Sequence, residues 1–300
     1  MHSHGDGHIS RRLIIGILLN SSFVAIELLA GIWAGSLALI SDAGHNFSDS
    51  LALVLSLFAL YISSKPATPQ KTFGYHRAGI LVALINALVL VLISAAIVYE
   101  AYNRIIHPVE ISGIWLLAVA GVGFIINSSI AWSFKSHQHD LNVKSAFLHL
   151  FADAMVSLGV VLAGAIIMLF GYSILDPLIS ILISLVILYM AWDVIKESID
   201  ILLEAVPRKI DLEEVINSLK RIPGILDVHD IHIWTIGSNV FAMSCHALID
   251  DQTVGNSSHL LETMQDLLEE RFSIIHPTIQ FECKACESGR ICSIPQANRE

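Results

Sequence analysis

Leu37-Ala-Leu-Ile-Ser-Asp42-Ala-Gly-His45-Asn46-Phe47-Ser48-Asp49-Ser-Leu-Ala-Leu-Val-Leu-Ser-Leu-Phe-Ala-Leu-Tyr-Ile-Ser63 is an apolar run that carries a His and an Asp four residues apart. The pattern recurs as His149-Leu150-Phe151-Ala152-Asp153, inside a second run near 143–170. Residues four apart stack on one helix face, so each segment projects an imidazole and a carboxylate in one direction. An ionised Asp at the centre of a membrane helix costs about 2.5–3.5 kcal/mol on insertion scales. A divalent cation shared by His45, Asp49, His149 and Asp153 offsets that cost. The alternative is two His–Asp hydrogen bonds that merely glue helices, and the repetition of the pattern weighs against it.

Working outward, 54% of the 300 residues are hydrophobic and 15% are charged, the composition of a membrane protein. Six stretches, near 12–34, 37–63, 78–103, 112–134, 143–170 and 174–202, reach the ~20 residues that a spanning helix needs. Strand-like alternation is absent there, and backbone in lipid must satisfy itself. The expected fold is therefore an all-α six-helix transmembrane domain over 12–203 plus a small α/β cytosolic domain over 207–285. Tails at 1–11, with His2, His4 and His8, and at 286–300 flank them. No leader pattern is visible in the first tail, and its histidines either gather metal weakly or have no role.

Lys and Arg in the loops set the orientation. Arg11, Arg12, Lys65, Lys71, Arg77, Lys135 and Lys144 fall on one side, and only Arg104 on the other. Both termini are expected in the cytosol. His45 and Asp49 then lie roughly 14 and 20 Å from the outer end of the second span, and Asp153 roughly 18 Å from the inner end of the fifth. Both pairs share one depth. Asp42, three residues before His45, is either an outer gate, an acceptor behind the ligands or a helix-start residue. Glu27 is a candidate for lining the path. Asn20, Asn86, Asn127 and Asp176 are further polar residues within the spans.

Net charge is −10. Residues 203–300 hold 15 acids and 8 Lys/Arg, against 12 and 9 before them, so the second domain is acidic, attracts cations and is not built for nucleic acid. Cys245, Cys283, Cys286 and Cys292 all lie in these last hundred residues. In the cytosol they stay reduced, and Cys283-Lys-Ala-Cys286 supplies half a zinc site. From Pro207 the order reads helix, strand, strand, helix, strand: an acidic first turn at Asp211–Glu214, a stop at Pro223-Gly224, a hairpin over 226–236 and 239–250, a helix over 257–271 and a last strand over 278–283.

Ser36-Leu-Ala-Leu-Ile-Ser-Asp-Ala-Gly-His45, Phe73-Gly-Tyr-His-Arg77, His229-Asp-Ile-His-Ile-Trp234 and Thr278-Ile-Gln-Phe-Glu282 resemble the cation diffusion facilitator family, and within it the bacterial cobalt-zinc-cadmium resistance (CzcD-type) exporters. The resemblance spans nearly the whole chain. It implies a homodimer of six-helix protomers with a metallochaperone-like cytosolic domain. It also implies that His45, Asp49, His149 and Asp153 form the transport site, that zinc is the chief cargo, and that proton antiport drives export. Some members bind another metal in the loop between spans two and three. At the matching places this chain has Thr68, Lys71 and Tyr75, with His76 one position off, so that loop site is expected to be missing.

The resemblance further implies a cytosolic zinc site of His229, His246 and Glu282. His246 lies on the polar face of its strand, opposite Met243 and Cys245, as a ligand should. His229 has the parity of Ile231 and Ile233, which read as core. His232, on the face of Asp230, is its substitute if His229 is buried. Gln280 stands where other members have a His. His276 and His259 are spare candidates, with Cys283 and Cys286.

The expected function is secondary active export of divalent metal, chiefly zinc, with cadmium or cobalt as further cargo, by alternating access in a bacterial inner membrane. Partners are protons, the lipid bilayer and a second copy of the chain. A membrane zinc enzyme would need an open coordination position and a base, as in H-E-x-x-H sites, and no such motif occurs. A haem held by His45 and His149 leaves both Asp residues unexplained, and a metal sensor leaves the midplane quartet without a use.

Overall fold

The computed structural model describes residues 21–134, 141–237 and 240–283. Six helices come first: α1, described over 21–34, α2 Leu37–Ser63, α3 Ala78–Ile106, α4 Gly113–Phe134, α5 Leu141–Phe170 and α6 Leu175–Leu202. Over the described residues they follow the six expected spans, with α3 ending three residues later; residues 12–20 of the first span lie outside the described residues. Each of α3 to α6 holds a stretch long and apolar enough to cross a membrane. α2 is less apolar because Ser41, Asp42, Asn46, Ser48 and Ser50 are all buried along it. There follow α7 Leu212–Leu219, β1 Ile225–Gly237, β2 Val240–Ile249, α8 Val254–Phe272 and β3 Ile274–Glu282. The described residues form two compact units, one of residues up to 57 with 83–195, the other of 58–82 with 196 onward. The loop after α2 thus belongs to the same unit as the α/β domain.

The helical unit is apolar within and without. Leu39, Leu116, Val160, Ile183 and Ile187 form its core, while Leu92, Trp132, Leu169 and Tyr189 point outward, each more than two-thirds exposed. Water disfavours such a surface and lipid accepts it. α4 and α5 meet at glycines. A Cβ on Gly164 would come within 2.8 Å of Leu117 N, and one on Gly113 within 2.8 Å of Gly164 O. Small residues of this kind let membrane helices approach closely.

An acid from another helix sets where α2 begins. Gly35 turns the chain in the left-handed region, φ 67°, as a helix C-terminus often requires. The first N–H groups of any helix lack partners. Here Leu37 N donates to Asp176 Oδ2 at 2.8 Å, Ala38 N to Asp176 Oδ1 at 3.2 Å, and Leu39 N to Ser36 Oγ at 3.2 Å. The Ser36 hydroxyl also donates to Asp176, and the Arg104 guanidinium donates to Gly35 O. Asp176 is fully buried in the first turn of α6, so it caps α2 from across the bundle.

The α/β unit is an open-faced sandwich. Its sheet order is β1-β2-β3, with β1 antiparallel and β3 parallel to β2. Asp211 caps α7 by accepting from Glu213 N and Glu214 N. Val215, Leu219, Met264 and Leu268 of α7 and α8 pack on Ile233, Met243 and Cys245. Each such buried side chain contributes about 1.5–3 kcal/mol. β3 starts at Ile274, four residues earlier than the sequence suggested, because Ser273 ends α8 in the left-handed region, φ 57°, and releases the chain directly into the sheet.

Candidate metal centres

His45 and Asp49 come from α2 and Asp153 from α5, and their ligand atoms all lie within 4.8 Å of one another. His45 Nε2 is 3.2 Å from Asp153 Oδ1 and 3.8 Å from Asp49 Oδ2. A tetrahedral zinc with bonds of about 2.0–2.1 Å spaces its ligand atoms about 3.3 Å apart, so the geometry fits. The side chains are only 12%, 31% and 11% exposed. His149 lies on α5 one turn before Asp153, and its side chain is outside the described residues.

Behind these ligands runs a chain of buried polar groups. The Asn46 amide donates to Glu27 Oε2 of α1 at 3.0 Å. Asp42 is buried as Glu27 is, and the Ser157 hydroxyl of α5 reaches Asp42 Oδ2 at 3.5 Å. Glu27 was legible as a costly acid, and Asp42 only as a gate, an acceptor behind the ligands or a helix-start residue. Their contacts with Asn46 and Ser157 were not, although Asn46 beside His45 was a signal of a kind.

In the second unit, His229, His246 and Glu282 also bring their ligand atoms within 4.8 Å. His229 pairs with His246 across the β1–β2 ladder. Glu282 on β3 places Oε1 3.0 Å from His246 Nδ1 and Oε2 3.2 Å from His229 Nε2. The latter contact is too poorly aligned for a hydrogen bond, and His229 Nε2 is a buried nitrogen without one. A cation would satisfy it, and the donor set of two imidazoles and a carboxylate suits zinc. Gln280 donates to Glu282 Oε1 at 3.0 Å. Gln280 thus steadies the Glu282 carboxylate.

Strand parity fails at His229 for a visible reason. The β1–β2 register shifts between His229 and His232, and Asp230 takes φ 48°. This bulge turns His229 toward the His246 face while Ile231 and Ile233 stay in the core. His232 is left exposed, its Nε2 3.2 Å from Asp230 Oδ1, and is not gathered with the three ligands. Asp230 Oδ2 also stands 3.8 Å from His246 Nε2. His276 stands edge-on to the Phe73 ring at 5.6 Å, away from the triad, and His259 contacts Thr263. Cys283 is exposed and Cys245 buried, burial pushing the Cys245 thiol up to about 12. Cys286, Cys292, His2, His4 and His8 lie outside the described residues. In the loop after α2, Thr68 and Lys71 pair through their backbones, and the Lys71 ammonium sits 4.4 Å from the Tyr75 ring.

Among the described residues, six helices, four of them long and apolar enough to cross a membrane, with clustered metal-type side chains on two, and a small α/β domain with a second such cluster, define a multi-pass membrane protein built to handle divalent cations. The chain belongs to the cation efflux family: residues 13–203 match its transmembrane domain and residues 207–284 its cytoplasmic domain. The chain is 38% identical to the cadmium, cobalt and zinc/H(+)-K(+) antiporter of Bacillus subtilis, over 95% of this chain and 92% of that one. It is 39% identical to the metal cation efflux system protein CzcD of Cupriavidus metallidurans, over 96% and 91%. To the zinc transporter ZitB of Escherichia coli it is 36% identical, over 95% and 93%. The family is one of transporters, not enzymes.

Proposed function

We propose that this protein exports divalent metal, chiefly zinc, in exchange for protons, through the site of His45, Asp49, His149 and Asp153. The observation that carries the proposal is the meeting of His45, Asp49 and Asp153 within 4.8 Å, from two helices of an apolar bundle. The names of the Bacillus and Escherichia relatives support zinc as cargo, the former with cadmium and cobalt beside it and with exchange for H+, and that of the Cupriavidus relative supports metal cation efflux.

Zinc enters from the cytosol when the site opens inward. Its ligands must be deprotonated to bind it, so binding releases protons. The bundle then rocks to face outward. Protons returning to the imidazoles and carboxylates weaken the site and discharge the ion, which ties release to pH near neutrality. We assign both termini to the cytosol of a bacterial inner membrane, the transmembrane domain to 12–203 and the cytosolic domain to 207–285. Two copies form the working dimer, and His229, His246 and Glu282 hold a zinc that braces the cytosolic domain by tying three strands together. The test is Asp153→Ala in everted vesicles: zinc transport is expected to vanish while the dimer persists, and wild-type rates in that variant refute the site.

A further inference from the structure

His229 and His246 do not offer the same nitrogen to the cytosolic triad. His229 aims Nε2 at Glu282, 3.2 Å from Oε2, whereas His246 aims Nδ1, 3.0 Å from Oε1. The Nε2 of His246 is left on the far side of its ring. The carboxylate facing it there is that of Asp230, whose Oδ2 is 3.8 Å away, an ion-pair distance rather than a hydrogen bond. The other oxygen of Asp230 is 3.2 Å from His232 Nε2. Neighbours along a regular strand point to opposite faces, yet His229 and Asp230 both reach His246. The left-handed backbone at Asp230, φ 48°, and the register shift between His229 and His232 bring this about.

We propose that Asp230 is a positioning residue of the cytosolic metal centre, its carboxylate orienting the His246 ring so that Nδ1 faces the metal. The proposal rests on the reading of His229, His246 and Glu282 as zinc ligands. A neutral imidazole ligates through Nδ1 only when its ring hydrogen sits on Nε2. A carboxylate beside Nε2 favours that tautomer. It also opposes a half-turn of the ring about Cβ–Cγ, which would present ring carbons to Asp230 and Glu282 alike. Metal-ligating histidines as a rule donate their outer N–H to such a group, and losing it weakens metal binding about 10–100-fold. Asp suits the bulge too, because it takes left-handed backbone more readily than most side chains do. One residue thus shapes the backbone for His229 and holds the ring of His246.

The test is zinc titration calorimetry on the full chain in detergent, with Asp153→Ala in every sample to silence the transport site. Asp230→Gly keeps the left-handed backbone and removes the carboxylate. It is expected to bind cytosolic zinc about 10–100-fold more weakly. Asp230→Asn keeps an oxygen that accepts from Nε2–H and is expected to lose less. In zinc-loaded protein with isotope-labelled histidine, the His246 Nε2–H resonance is assigned by its absence from His246→Ala. It is expected to be sharp with Asp230 in place and broadened by exchange with water in Asp230→Gly. Wild-type zinc affinity from Asp230→Gly overturns the proposal, as does weakened binding with that resonance unchanged, the pattern of a merely structural role. Should Asp230→Gly not fold, wild-type affinity from Asp230→Asn overturns it. His246→Ala separates the two levels. Zinc binding unchanged there fails the triad itself, whereas binding lost there beside wild-type affinity from Asp230→Gly fails only the role of Asp230.

Discussion

The helical site and the sheet site gather similar ligands by different means. In the bundle, His45 and Asp49 are one turn apart on α2, and the helix repeat alone aligns them. Only the meeting of α2 with α5 had to be supplied by packing. In the α/β domain, His229, His246 and Glu282 come from three strands, and their meeting depends on cross-strand register and on one bulge at Asp230. A helix keeps its phase through a polar residue, whereas a strand loses its phase at a single inserted one. The two sites differ in setting as well. The first lies in a helical unit with an apolar surface and the second in an acidic α/β unit, while their side chains are about equally exposed, at most 31% and 30%.

That contrast predicts unequal consequences. The largest belongs to the bundle: Asp153→Ala lowers zinc transport by more than about 100-fold, read as initial rates in vesicles, with the cytosolic site still binding zinc. A smaller effect follows in the sheet. His246→Ala lowers the zinc bound per protomer, read by titration calorimetry, and cuts transport by less than about tenfold. It also removes a zinc-dependent stabilisation worth about 2.7 kcal/mol at a hundredfold excess over Kd, read as a melting shift. Equal losses of transport from Asp153→Ala and His246→Ala would erase the distinction. Next is the shared frame. Asp176→Ala strands the N–H groups of Leu37 and Ala38 and costs about 1–3 kcal/mol, read as lowered thermal stability in detergent.

The smallest effect is in the cytosolic domain. The Lys220 ammonium beside Asp227 holds that carboxyl below its usual range. A depressed folded value stabilises above the unfolded pKa and is lost as pH falls through the folded one. Both groups are more than a third exposed, so Asp227→Asn costs under about 1 kcal/mol near neutral pH. It costs nothing in acid, where Asp227 is already protonated. Melting curves at the two pH values check this.

The helices, the small domain's element order and the alignment of His45 with Asp49 on one helix were legible, because each rests on local spacing in one segment. His45 and Asp153 could be paired by depth before any contact was known. The His229 bulge was not legible: left-handed backbone at Asp230, a non-glycine residue, has no local marker. Nor was the task of Asp176, since an acid at one helix start gives no hint that another helix's N–H groups need it. Gln280 read as a weakening of the site, and its amide's hydrogen bond to Glu282 was not legible in the sequence.

The central claim is that the four-ligand site couples metal to protons. Zinc uptake into everted vesicles under an imposed, interior-acid pH gradient tests it most directly, wild type beside Asp49→Ala. The expected result is uptake that follows the gradient in the wild type and is absent from the variant. Uptake indifferent to the gradient, or undiminished in Asp49→Ala, would contradict it.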